Sequence, residues 1–137
     1  MVGDELRARA RRFALDVIDL CLSLDRDDFG RLVRPQLLRA ATGVAANYRA
    51  AGHARSPKEF VAKLPIVVEE ADESELWLDF VETRGYGQAE TVKRLRGEAN
   101  ELRAIFMASR RTAAKRLKKK RAQGSEASGN DRERAGT

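Results

Sequence analysis

The sequence predicts an all-α protein, an up-down-up-down four-helix bundle with a basic, disordered C-terminal tail. Three observations carry that reading. Apolar residues recur at helical spacing in four segments, no stretch alternates as a half-buried strand would, and Gly, Pro, Asp and Ser punctuate the chain at three points between the segments. At 137 residues the chain is long enough for one core without disulfide staples.

The first segment places Leu6, Ala10, Phe13, Val17, Leu20 and Leu24 at alternating steps of four and three, with Ala14, Ile18 and Cys21 widening the same face. The acidic run Asp25 to Asp28, followed by Phe29 and Gly30, is expected to end it, and Pro35 to sit in the first turn of a second helix. That helix has Leu37, Ala41, Val44, Tyr48 and Ala51 as its stripe. Around the stripe it is rich in small residues, and Gly43, which costs about 1 kcal/mol relative to Ala, points to a close helix approach.

Asn47 through Phe60 reads as a helix end, a tight turn and a new helix start. Ser56 and Glu59 have capping-box spacing, and Pro57 sits at the first helical position, where a missing N–H is harmless. Asn47 is expected to satisfy loose backbone groups at this turn. The third helix then carries Phe60, Leu64, Val67, Ala71, Leu78 and Val81, with Ser74 filling the seam, until Gly85-Tyr86-Gly87 stops it. Pro65 inside it deletes one hydrogen bond and crowds the carbonyl of Val61, so a kink is expected. Trp77 and Phe80 give this helix apolar area beyond one core's needs.

The fourth helix begins near Gln88 and carries Val92, Leu95, Ala99, Leu102, Phe106, Ser109, Ala113 and Leu117. Its carboxyl end runs into cations, which the helix dipole favours, so it is expected to reach about Lys120. Residues 122–137 lack any large apolar side chain, and disorder is expected there. The division is therefore a bundle over 1–121 and a tail over 122–137.

The net charge of +6 is unevenly held. Residues 1–109 carry 17 Lys and Arg against 18 Asp and Glu, whereas residues 110–137 carry 10 against 3. Arg110, Arg111, Lys115, Arg116, Lys118, Lys119, Lys120 and Arg121 form an acid-free block, the strongest candidate for nucleic-acid phosphates. Arg49 and Arg55 flank the turn between the second and third helices and could join it. No aromatic residue follows Phe106, which argues against sequence-specific reading of single strands.

Other chemistries find little support. His53 is the single histidine, there is no phosphate-binding glycine loop, and the carboxylates from Glu69 to Glu75 lack the Glu-x-x-His pairs of a di-metal bundle. A non-enzymatic protein without metal or cofactor is expected. One cysteine allows no internal disulfide, and residues 1–12 have four arginines and no apolar signal core. The longest uncharged run is nine residues, Ala40 to Tyr48, against roughly 20 for a membrane span. The expected location is the cytoplasm.

Gln36-Leu37, Arg39 to Ala41, Asn47 to Phe60, Glu69 to Ser74 and Glu98 to Ser109 resemble blocks of a known bacterial family. These are four-helix-bundle proteins first noticed as reading frames in intervening sequences of large-subunit ribosomal RNA genes, and they include the accessory variability proteins of diversity-generating retroelements. The resemblance implies the same bundle fold and a ring-shaped homopentamer. From its retroelement members it implies a nucleic-acid-binding role beside a reverse transcriptase and its template RNA. The chain departs from the pattern at Ala45, where many members have proline, and at Ala50-Ala51, where many have Glu-Gly. An adaptor oligomer that meets a protein partner, with the tail incidental, is the alternative expectation.

Overall fold

The computed structural model describes the backbone of residues 3–135 and the side chains of residues 3–126. Four helices follow one another: α1 (Gly3–Ser23), α2 (Asp28–Gly52), α3 (Pro57–Thr83) and α4 (Ala89–Ala135). Each packs on the next and α4 closes back on α1, while α2 and α4 meet across the diagonal through the Tyr48 and Phe106 rings, whose centroids are 5.1 Å apart. This is the expected up-and-down bundle. Short connections leave antiparallel neighbours as the only compact arrangement.

The core is the expected set of stripes. Leu6, Phe13 and Val17 of α1, Leu37 and Val44 of α2, Leu64, Val67 and Leu78 of α3, and Leu95, Leu102 and Phe106 of α4 are all buried. Ser74 lies fully buried in the α3 seam, where its hydroxyl donates to the Glu70 carbonyl at 2.8 Å and so needs no partner across the core.

α2 starts seven residues before the expected Pro35. Asp27 is its N-cap, accepting the Gly30 N–H at 2.8 Å, and Pro35 sits in the helix interior on an exposed position. Two contacts outside α2 favour the early start. The Arg34 guanidinium reaches back to the end of α1, donating to the carbonyls of Cys21 at 3.1 Å, Leu24 at 2.8 Å and Asp25 at 3.1 Å. Gly30 lets the chain pass so close that a Cβ there would lie 1.8 Å from the Asp25 carbonyl oxygen. Val33, buried within this added turn, joins the core.

At the α2–α3 turn the capping box forms with one change of partner. The Glu59 N–H donates to Ser56 Oγ at 3.1 Å, while the Glu59 carboxylate accepts from the N–H of Arg55, one residue before the cap, at 3.4 Å. Asn47 is not a turn residue. Its amide donates at 2.8 Å to the carbonyl of Gly43, four residues back in the helix. α3 continues across Pro65 without a break. Gly85 and Gly87 both have positive φ, near +73° and +72°, the left-handed geometry glycine adopts freely.

The expected helix end near Lys120 is also corrected, because α4 is helical through Ala135. Extending a helix that is already nucleated fixes only one residue per hydrogen bond, which carries α4 past its last core contact although Gly124, Ser125, Ser128, Gly129 and Asn130 are poor helix formers. Every side chain from Lys118 to Glu126 is indeed exposed. The boundary at residue 121 is thus no boundary of secondary structure, and residues 136 and 137 of the expected tail lie outside the described residues.

Candidate nucleic-acid interface

Because α4 runs from the α3–α4 turn toward the end of the bundle that holds the α2–α3 turn, its basic block emerges beside that turn and beside the start of α1. The core stripe stops at Phe106. Ser109, Ala113 and Leu117 continue it as half-buried residues, after which the helix projects alone. At about 1.5 Å per residue the stretch from Arg110 to Ala135 is about 40 Å long.

All eight cations of the block are exposed. With residues about 100° apart around the helix, Arg110, Arg116, Lys120 and Arg121 fall on the half that holds Ala113 and Leu117, and of these Arg116 and Lys120 line the cleft beside it. Arg111, Lys115, Lys118 and Lys119 take the opposite arc. Among the described residues no carboxylate pairs with any of the eight. Several arginines of the bundle behave differently: Arg9 pairs with Glu98 and with Glu101 at 2.7 Å, Arg103 with Asp72 at 2.7 Å, and Arg39 with Glu73 at 3.2 Å. Arg96 serves Glu75 at 2.8 Å, Asp79 at 3.3 Å and Glu82 at 3.4 Å. Hydrogen bonding to Glu75 leads the causes that hold the Arg96 guanidinium even more firmly charged than usual.

An open cleft of about 1020 Å³ lies where α4 leaves the bundle. Arg55 from the turn and Arg116 and Lys120 from α4 line it, so the structure brings these three expected residues together. Arg49 is exposed on the last turn of α2 and is not part of the lining. Tyr48, Phe60, Ile105 and Leu117 supply the apolar part. Reasoning from sequence assigned Tyr48 and Phe60 to core stripes. Only the continuation of the α4 stripe past Phe106 hinted that something lies beside the helix there.

The remaining candidates do not line this site. His53 is exposed at the end of α2, with its backbone N–H capping that helix. Among the described residues no group of three or more His, Cys, Asp or Glu could hold a metal ion. No described helix is long and apolar enough to cross a membrane.

Residues 5–108 match the 23S rRNA-intervening sequence protein family. A solved structure from Bacteroides thetaiotaomicron, described as a protein with unknown function from the S23 ribosomal protein family, is similar with a TM-score of 0.73 and 25% sequence identity. The match covers 81% of this chain and 99% of that one. Among curated proteins none matches. The family match ends at residue 108, about two turns before Arg116, so it spans the bundle and stops short of the basic projection. On the extent of that match, the chain belongs to the 23S rRNA-intervening sequence protein family.

Proposed function

We propose that the protein is a non-enzymatic accessory protein that binds nucleic acid through the projecting end of α4 and acts as a homo-oligomer in the cytoplasm. One observation carries the reading: eight exposed cations crowd one helix end without an ion-pair partner among the described residues, while the bundle's main cross-helix arginines are matched by carboxylates. Unmatched cations at this density release counterions when phosphates replace them, giving affinity with little sequence preference. Structured RNA is the first ligand to test, in keeping with the family's name. For the retroelement members that the sequence resembles, the corresponding partner would be a reverse transcriptase with its template RNA.

The test is a salt series. Binding to duplex DNA should fall with a log–log slope of about −0.9 per phosphate neutralised, so engaging about five of the eight cations gives roughly −4 to −5. Replacing Lys115, Arg116, Lys118, Lys119, Lys120 and Arg121 with glutamine keeps helix propensity and should flatten that slope. Unchanged binding by this variant removes the block from the interface. Absence of binding by the parent at low salt leaves the second reading, an adaptor oligomer, which is favoured by the exposed apolar residues on the outer arc of α3.

A further inference from the structure

The block alone is a featureless polycation, but the cleft beside it is not. None of the described residues lining it carries a carboxylate, three carry cations, and Ser56, Ser109 and Thr112 add hydroxyls. Such a lining selects an anion. The cleft is at the same time too large for a bare phosphate: at about 1020 Å³ it lies at the upper end of the ~300–1,000 Å³ of typical small-ligand sites, and the half-buried Phe60 ring lies along it. The occupant must therefore combine negative charge with flat apolar surface. Unpaired nucleotides do so, with phosphates for the cations and bases for the ring.

Continuity fixes the choice further. Arg116 and Lys120 belong both to the basic block and to the cleft lining, so a strand whose phosphates follow the outer arc of α4 passes the cleft mouth. Resting on the nucleic-acid reading above, we infer that this cleft is a single-strand subsite: it takes unpaired nucleotides at the end of a duplex, a base stacking on Phe60 and its phosphates meeting Arg55, Arg116 and Lys120. Sequence alone argued against sequence-specific reading of single strands because no aromatic follows Phe106 on α4. The bundle supplies the aromatic from α3.

The experiment compares a blunt RNA duplex with the same duplex bearing a short unpaired overhang labelled with 2-aminopurine, by anisotropy and by base fluorescence. The parent should bind the overhang form about tenfold more tightly, the worth of roughly one stacked base, and should quench its fluorescence. Phe60→Leu keeps apolar volume at the core edge but removes the ring; it should abolish the preference and the quenching while blunt-duplex affinity stays within about twofold. Arg55→Gln, at an exposed position with no packing role, should reduce the preference as well. Equal binding of the two duplexes by the parent overturns the inference. So does a preference that neither variant alters. If the parent binds neither duplex at low salt, the nucleic-acid reading itself has failed and this inference falls with it.

Discussion

Gly43 faces a side chain and not a helix backbone. A Cβ there would meet Glu70 Cδ at 2.9 Å and Oε2 at 3.0 Å, so the small residue of α2 makes room for a carboxylate of α3. Burial, then the nearby charges of Glu73 and Glu69, push the Glu70 carboxyl above its usual range, with Arg39 opposing. The atoms in the way are the far end of a flexible chain. Gly43→Ala should therefore swing Glu70 toward solvent and stabilise the protein, by up to about 1 kcal/mol of helix propensity, with the Glu70 carboxyl titrating closer to an ordinary glutamate. Urea unfolding and an NMR titration check both, and a destabilised variant would mean that Glu70 is held in place.

Asp27 has the opposite shift. The Tyr86 hydroxyl donates to its carboxylate, the Gly30 N–H adds to this, and both lower its pKa. A carboxyl lowered by folding adds stability that is present above its unfolded value and lost as pH falls through its folded one. Tyr86→Phe should thus lower stability at neutral pH, with the deficit shrinking in acid below the folded Asp27 value; thermal melts over a pH series measure it. Stacking on Phe29, with ring centroids 4.4 Å apart, should persist in the variant, so a deficit independent of pH would assign the effect to packing.

At the level of elements, the two interior prolines sit in different surroundings. Pro35 lies one residue after Arg34, whose guanidinium ties the end of α1 to α2, so that turn is anchored from outside. Pro65 has no such compensation in its own helix. Restoring the hydrogen bond to the Val61 carbonyl and removing the clash are together worth about 3 kcal/mol, against roughly 0.4–1 kcal/mol of chain entropy that proline contributes. Pro65→Ala should accordingly raise stability by about 2 kcal/mol in denaturant melts. A neutral or destabilising result would mean that α3 bends at Pro65 to pack, and that its seam is not one continuous stripe. Cys21 belongs to the element it is buried in: desolvation raises its thiol to about 11, and it has no role at the surface.

For the whole molecule, the outer arc of α3 and the end of α4 are the two surfaces for which partners are proposed. Ile66, Leu76 and Phe80 are 45%, 44% and 41% exposed on α3, and Trp77 stands edge-on to Phe80 with centroids 5.6 Å apart. Apolar area of this kind marks a contact surface, which is the basis for proposing an oligomer, with five copies as the stoichiometry the family resemblance implies. Light scattering at micromolar concentration should return a mass several times 15.3 kDa. Leu76→Glu with Phe80→Glu should bring it down to one chain without loss of helix. A parent that is a clean monomer would refute the assembly.

The sequence by itself determined the four helices, their core stripes and the Ser56 and Gly85-Tyr86-Gly87 boundaries, because each is written in the periodicity or capping chemistry of one segment. It also located the basic block. Tertiary structure decided the rest: where α2 begins, through Arg34 reaching α1 and Tyr86 reaching Asp27; what Gly43 makes room for; and that Phe60 of α3 lies in one cleft with Arg116 and Lys120 of α4. These are relations between helices, set by register and crossing, and the 3.6-residue repeat within a single helix holds no record of either.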